Sequence, residues 1–112
     1  MAGKNYKSLS KCAIESNCYF VEWKFKDLDK AFDDLVKIST SLPRTKVIEK
    51  SNIYWHGVCS SFLFRFPDDL QLLKLVNEDV IQIKSTSRIG MFDIGVNRGR
   101  INAIYSKLIN NS

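Results

Sequence analysis

The sequence predicts the α+β class: a curved antiparallel sheet of four or more strands, with two helices packed on one of its faces. Two segments, one towards each end of the chain, have apolar residues at helical spacing. Between them, short runs rich in β-branched and aromatic residues are separated by turn residues, which is typical of an antiparallel meander. The chain has 112 residues, 45% of them hydrophobic, which is enough for one core and one domain.

The first half of the chain predicts one strand followed by one helix. Tyr19–Phe25 places alternate apolar residues on one side of a strand. Asp27 is a suitable helix N-cap. The residues after it form an apolar stripe at helical spacing: Leu28, Ala31, Phe32, Leu35 and Val36. We expect this helix to end near Ser41, because Pro43 pushes the residue before it out of the helical region.

The second half predicts a series of strands and a closing helix. The predicted strands are Thr45–Lys50, Ile53–Ser60, Phe62–Val76 and Val80–Ser85. The run FLFRF would place Phe62, Phe64 and Phe66 on one face of its strand. The run DLQLLKLV fits a helix or a strand by its apolar spacing, and we favour a strand because the run lies between strands. The last helix is predicted from Asn97 to Ile109.

Composition and charge set broad limits on function. We expect residues 1–11 to form a flexible arm and residues 12–112 a single globular domain. The net charge of +5 suits an acidic partner, nucleic acid or an anionic membrane surface, and it selects none of them. No apolar run approaches the roughly 20 residues of a membrane helix, and the N-terminus lacks the apolar stretch of a signal peptide. The sequence therefore favours a soluble cytoplasmic protein with reduced cysteines.

The stretch Ser85–Arg100 is the main candidate for a site, and we call it the arginine corner. It holds Arg88, Asp93, Asn97, Arg98 and Arg100 at a predicted strand-to-helix junction. One interpretation is a binding site for an anion or a partner, made of a helix start and guanidinium groups. The other is a structural clasp, in which these arginines pair with carboxylates and tie the corner to the sheet.

The clasp interpretation predicts which residues take part and which arginine is buried. Its further candidate members are Asp68, Asp69, Arg44 and Arg65. Arg88, at the end of a strand, is expected to be the buried residue on which stability depends. Arg98 and Arg100, in the first turn of the helix, are expected nearer the surface, where a cation opposes the helix dipole unless an anion is nearby. Asn97 is expected to be the N-cap of that helix.

Candidates for catalysis and metal binding are weaker. Asp68 and Asp69 resemble a paired-carboxylate site, but adjacent residues of a strand point to opposite faces. Four potential zinc ligands, Cys12, Cys18, His56 and Cys59, have spacings that do not fit a zinc site. Cys12 and Cys18 are better interpreted as two thiols that meet across a turn, reduced or reversibly oxidised. The only histidine, His56, lies in a predicted strand, and we interpret it as a structural side chain with a satisfied hydrogen bond. Nucleotide-binding fingerprints are absent from the sequence. We expect no cofactor and no metal.

Aromatic residues lie near basic residues in the central strands. Tyr54, Trp55, Phe62 and Phe64 accompany Lys46, Lys50 and Arg65. Such a pattern suits stacking on single-stranded nucleic acid. Aromatic residues of strands more often belong to the core, so nucleic acid is not favoured as the partner.

Several segments resemble a known family, in order along the chain. "CAIESNC" is similar to a C-P-x-x-P-N-C opening, although Ala13 and Ser16 replace the prolines. "SLPRTKVIE" and "SFLFRFPDDLQ" follow, and "STSRIGMFDIGVNRGR" is similar to a long closing signature. The chain therefore resembles the Domain of Unknown Function 1499 family from about Cys12 to the last helix. The resemblance implies the fold and the boundaries, and it brings no catalytic residue or cofactor.

The sequence favours a small non-enzymatic binding or accessory domain. It would recognise a partner protein or an anionic ligand through the arginine corner. The alternatives are an enzyme or redox or metal protein that uses Cys12 and Cys18 with Asp68 or Asp69, and a domain that binds single-stranded nucleic acid on the sheet.

Overall fold

The computed structural model describes residues 8–62, 65–89 and 95–110, apart from the side chain of Glu15. Over these residues the α+β prediction is confirmed. The main elements are β1 (Cys18–Lys24), α1 (Leu28–Thr40), β2 (Thr45–Lys50), β3 (Tyr54–Ser60), β4 (Pro67–Leu75), β5 (Val80–Ser87) and α2 (Val96–Asn110). Short 3-10 turns, Glu15–Asn17 and Val76–Glu78, precede β1 and follow β4.

The five described strands form one open antiparallel sheet. Their order is β1-β5-β4-β3-β2, so β4 is central and β1 and β2 are the edges. The register between β4 and β5 is regular from Asp68, opposite Ser87, to Leu75, opposite Val80. Because side chains alternate along a strand, every strand contributes to both faces of the sheet. We call the face under the helices the helix face and the other the open face.

Local signals explain where the elements begin and end. The Asp27 carboxylate accepts a hydrogen bond from the amide of Lys30 at 3.1 Å and caps α1, as predicted. The turn between β4 and β5 ends at Asp79, which has a φ of +54°. Aspartate is among the few residues that tolerate this left-handed conformation. The chain can therefore reverse tightly and pair β5 with β4 along its whole length.

The main core lies on the helix face, where both helices pack, as predicted. Its buried residues come from α1, β3, β4, β5 and α2: Ala31, Phe32, Leu35, Val36, Ile38, Trp55, Cys59, Leu70, Leu72, Ile81, Ile83, Ile101, Ile104 and Leu108. At the roughly 25 cal/mol per Å² gained by burying apolar surface, this cluster is the main source of folding free energy.

A second, smaller cluster lies on the open face. It contains Tyr54, Leu73, Leu75 and Val80, and it is completed by Leu9, which is buried. Leu9 belongs to the predicted flexible arm, of which the structure describes residues 8–11. The described end of that arm is therefore packed against the sheet at Leu9. Apolar alternation along β4 could not show this, since the covering residue is distant in sequence.

The connection between β3 and β4 differs from the prediction. β4 begins at Pro67 rather than at Phe62. Arg65 has a φ of +57°, which is incompatible with a strand, and the Phe62 side chain is 73% exposed. Phe64 lies outside the described residues. The aromatic alternation of FLFRF therefore indicated a strand, but its described residues, Phe62, Arg65 and Phe66, lie outside any strand. The Ser61 amide donates a hydrogen bond to the Phe66 carbonyl just before β4.

Candidate functional site

Two neighbouring aspartates of β4 organise the arginine corner from opposite sides of the sheet. Asp68 points to the helix face and forms an ion pair with Arg100 of α2, with 2.9 Å between Oδ2 and Nη2. Asp69 points to the open face and pairs with Arg88, which follows β5. The expectation that the two carboxylates cannot serve one centre is therefore correct. Each instead holds its own arginine.

The ion pair on the helix face is part of a buried polar network. Asn97 is fully buried, and its Oδ1 accepts hydrogen bonds from Ser85 Oγ at 2.6 Å and from Arg100 Nη1 at 3.1 Å. Its Nδ2 donates to the carbonyl of Asn17 at 3.0 Å and to Ser87 Oγ at 2.9 Å. Asn97 thus joins α2 to β5 and to the turn before β1. It is the second residue of α2, so its predicted role as N-cap is wrong.

The ion pair between Arg88 and Asp69 on the open face is bidentate, and His56, the only histidine of the sequence, also contacts Asp69. Arg88 donates from Nε and Nη2 to the two carboxylate oxygens of Asp69, at 2.9 and 2.8 Å. His56 Nε2 lies 2.7 Å from Asp69 Oδ1. Partial burial alone would raise the pKa of Asp69, but the hydrogen bonds from Arg88 and His56 outweigh it and lower that pKa. The carboxylate therefore stays ionised at neutral pH.

The distribution of burial among the arginines differs from the expectation. The Arg100 side chain is only 11% exposed and that of its partner Asp68 is 4% exposed, whereas Arg88 is 47% exposed. The prediction that Arg88 is buried and Arg100 lies near the surface is wrong. The reason is helical spacing: Arg100 lies three residues after buried Asn97 and four before buried Ile104, on the face of α2 that meets the sheet.

The remaining candidates lie apart from this network. Arg98 is exposed, as expected, and its guanidinium carbon is 5.7 Å from the ring centre of Tyr19. Arg44 donates from Nε to the carbonyl of Ser60 at 3.0 Å, and Arg65 is exposed. Asp68 and Asp69 pair with Arg100 and Arg88 rather than with Arg44 or Arg65. Asp93 lies outside the described residues.

The chemistry that this arrangement supports is recognition of charge. Within residues 8–62, 65–89 and 95–110, no group of three histidine, cysteine or acidic side chains could hold a metal ion. Asp68 is enclosed by its ion pair with Arg100 and is only 4% exposed, so a substrate cannot reach it. Among the described residues of the corner, the exposed charged groups are the guanidinium groups of Arg88 and Arg98. Such groups match carboxylate and phosphate oxygens.

Comparison with family models gives one match to nearly the whole chain. The family is described as "Protein of unknown function (DUF1499)", and its model matches residues 5–108. The chain belongs to this family. The resemblance found in the sequence is thereby confirmed. A search of curated proteins finds no match to the chain. In the described part of this DUF1499 domain, no helix combines the length and apolar character required to cross a bilayer.

The two cysteines at the start of the DUF1499 domain are joined. Cys12 and Cys18 form a disulfide, with 5.6 Å between their Cα atoms. The pair lies together as the sequence predicted, but the expectation of reduced thiols is wrong for these two residues. Cys18 Sγ lies 3.3 Å from Thr86 Oγ1 of β5. Cys59 is a free, buried cysteine, and burial raises the pKa of its thiol, which keeps it protonated and unreactive.

Sequence reasoning predicted a satisfied strand side chain for His56, which its contact with Asp69 confirms, but it missed the polar neighbours of His56 on the open face. His56, Gln71 and Lys84 are direct cross-strand neighbours on β3, β4 and β5. Burial lowers the pKa of the Lys84 ammonium, and no carboxylate among the described residues forms an ion pair with it. Each of the three lies two residues along its strand from Asp69 or from a residue paired with Asp69, so it faces the same side of the sheet. Strand alternation combined with the strand register would therefore have predicted this polar group. The register itself could not be derived from one sequence.

Proposed function

We propose that this DUF1499 domain is a non-enzymatic binding module that recognises an anionic group of its ligand or partner through the exposed side of the arginine corner. Arg88 and Arg98 are the recognition residues. Arg100, Asn97 and Asp68 form the structural base that positions them. The corner is thus a clasp on the helix face and a binding surface on its exposed side.

The observation that carries the proposal is an excess of cations among the described residues at this end of the sheet. Asp69 pairs with Arg88 and Asp68 pairs with Arg100, so the third arginine, Arg98, is left over. Arg98 forms no ion pair with a described carboxylate, although it stands in the first turn of α2, where a cation is unfavourable. Arg88 is fixed by Asp69 but keeps about half of its side chain in solvent. An incoming anion would compensate the charge of Arg98 at the helix start and would contact the exposed part of Arg88.

The alternatives have less support. Trp55 and Tyr54 are buried, so neither can stack on a base, and the nucleic-acid hypothesis loses two of its aromatic residues. For acid–base or metal chemistry, Asp68 and Asp69 face opposite sides of the sheet. A redox role for Cys12 and Cys18 has one specific observation in its favour, their disulfide. The sequence favours a cytoplasmic location, where reducing conditions would act against such a disulfide.

Titration with defined anions tests the proposal. In ¹⁵N–¹H NMR spectra, sodium phosphate and a short polyglutamate peptide should shift the Nε–Hε signals of Arg88 and Arg98. Arg88→Ala and Arg98→Ala should each weaken binding. Lys107→Ala is the matched control, because it removes one exposed cation from the last turn of the same helix. Binding should weaken as salt rises from about 0.01 to 0.15 M, since the Debye length falls from about 30 to 8 Å.

Three results would contradict the proposal. The first is the absence of any shift at the corner with either anion. The second is a loss of binding in Lys107→Ala equal to that in the corner variants, which would indicate non-specific attraction to a basic protein. The third is tighter binding of a single-stranded oligonucleotide, with shifts centred on the sheet rather than the corner, which would favour the nucleic-acid alternative.

A further inference from the structure

The N-terminal segment, residues 8–10, lies across the open face and is bound there by polar contacts. The Leu9 amide donates to Gln82 Oε1 at 2.7 Å. Gln82 Nε2 in turn donates to Ser8 Oγ at 3.0 Å, and Lys84 Nζ donates to Ser10 Oγ at 3.0 Å. Three consecutive residues therefore hydrogen-bond to two side chains of β5. The segment follows β5 along the sheet.

The same segment covers an apolar surface. Leu9 is 6% exposed and packs in the cluster with Tyr54, Leu73, Leu75 and Val80. These four residues belong to β3, β4 and β5, and they face away from both helices. Without Leu9 the patch would lie on the solvent side of the sheet. Contiguous apolar patches of this kind mark interaction surfaces or aggregation sites.

The disulfide lies immediately beyond this segment. Cys12 is two residues after Ser10, and Cys18 is the first residue of β1. The disulfide holds the Cα atoms of Cys12 and Cys18 5.6 Å apart. Without it, the six-residue connection alone would limit their separation, and such a connection reaches about 20 Å when extended. The bond therefore confines the end of the N-terminal segment close to the edge of the sheet.

We propose that the Cys12–Cys18 disulfide is a redox latch: when oxidised it holds residues 8–10 over the apolar patch of the open face, and its reduction by a dithiol releases them. The latch is independent of anion binding at the arginine corner. It links the redox state of the surroundings to exposure of Tyr54, Leu73, Leu75 and Val80.

The two sulfurs differ in access, which fixes the order of steps. Cys12 is half-buried and Cys18 is buried, so the thiolate of a dithiol reductant attacks Cys12 Sγ and forms a mixed disulfide. Cys18 leaves as a thiolate, to which the Thr86 hydroxyl at 3.3 Å can donate, and it then takes a proton from water. The second reductant thiol displaces Cys12. Two electrons pass to the protein, and the reductant becomes a cyclic disulfide.

Hydrogen exchange of the full chain with and without dithiothreitol tests the latch. In the oxidised protein the Leu9 amide should be protected by its bond to Gln82. Reduction should accelerate its exchange at least about tenfold, while the amides of Leu72 and Ile83 in the central strands change little. Cys12→Ser should exchange fast at Leu9 without reductant. Leu9→Ala should do so with the disulfide intact, and it should be insensitive to dithiothreitol.

Each other result would overturn the latch. Equal protection of Leu9 in the oxidised and reduced protein would mean that the segment is held by its own contacts. Equal acceleration at Leu9, Leu72 and Ile83 would mean that the disulfide stabilises the whole domain instead. Alkylation of Cys12 in the native protein, prepared without reductant, would mean that the disulfide does not form, because a disulfide-bonded sulfur does not react with an alkylating agent.

Discussion

Arg100 and Arg88 make ion pairs of similar length in very different surroundings. Arg100 and Asp68 are both almost fully enclosed between α2 and the sheet. Removing one member of such a pair leaves an uncompensated charge out of contact with water. Arg88 pairs with Asp69 at the surface, where water screens the charges and can replace the lost bonds. The distance between charged atoms therefore says little about the contribution of each pair, and burial decides it.

Arg100→Ala is expected to lower the free energy of unfolding by about 3–5 kcal/mol, since it leaves Asp68 buried and unpaired. Arg88→Ala should produce only a small shift, because its side chain is half exposed. Urea midpoints of the two variants measure the difference. Lys107→Ala, an exposed cation of the same helix, is the control and should match the wild type. Equal shifts for Arg100→Ala and Arg88→Ala would contradict the assignment.

At the scale of elements, α2 is attached to the sheet by a polar contact at one end and apolar contacts along its length. Ile101, Ile104 and Leu108 pack into the main core. Asn97 extends the same face of the helix with hydrogen bonds to β5 and to the turn before β1. Polar groups in such a network fix direction as well as distance. The start of α2 is thus oriented more strictly than apolar packing alone would require.

Asn97→Ala should destabilise the domain by roughly 3 kcal/mol, because buried polar groups of Ser85 and Asn17 lose their partner. Asn102→Ala is a matched control, since Asn102 is exposed on the same helix. Thermal unfolding followed by circular dichroism would compare the two. A similar melting temperature for both variants would show that the network contributes nothing net.

In β3, Gly57 leaves room for the fully buried Trp55 ring. A Cβ at Gly57 would overlap Cη2 of Trp55. Gly57→Ala should therefore cost about 1–3 kcal/mol, as expected for overpacking in a core. Gly99, inside α2, has open space around it, so Gly99→Ala should stabilise the domain by about 0.5–1 kcal/mol. Urea unfolding of both variants would reveal the opposite signs. Destabilisation by both would exclude the steric explanation.

The sequence predicted elements well where alternation and helical spacing were reinforced by turn residues. Asp27 capped α1 as expected, and β2 has the predicted bounds. Prediction failed at the loop before β4, where the aromatic residues of FLFRF resemble a strand. Left-handed backbone at Arg65 leaves no signal in a sequence, since arginine has no preference for it. The fold could be derived from local patterns, whereas this loop could not.

At the scale of the whole molecule, the position of the candidate site could be predicted from the sequence, but the pairing of its charged residues could not. The cluster of arginines and the Asp68-Asp69 pair were visible in the sequence. Which arginine meets which carboxylate depends on the register of β4 with β5 and on the rotation of α2 about its axis. Both are set by packing between segments distant in sequence. The same reason explains why His56 was not recognised as a neighbour of Asp69, nor Leu9 as a neighbour of the apolar residues of the open face.

The stability of the domain should depend on pH through Asp69. Its pKa in the folded state is lowered from the ordinary 3.8, so the unfolded chain binds a proton more readily. The stabilisation is complete above pH 3.8 and is lost as the pH falls through the lowered pKa. Asp69→Asn should flatten this part of the curve, measured by urea midpoints between about pH 2.5 and 5. An unchanged slope in Asp69→Asn would assign the effect to other carboxylates.

The consecutive carboxylates Asp68 and Asp69 also destabilise any shifted register of β4 against its neighbouring strands. If β4 slipped by one residue in one direction, Leu70 would occupy the place of Asp69 and Arg88 would lose its partner. A slip in the other direction would bring Pro67 to the place of Asp68, and Arg100 would be left buried without an anion. Either error also turns apolar residues to the wrong face. One dipeptide thus penalises both shifted alignments of the central strand.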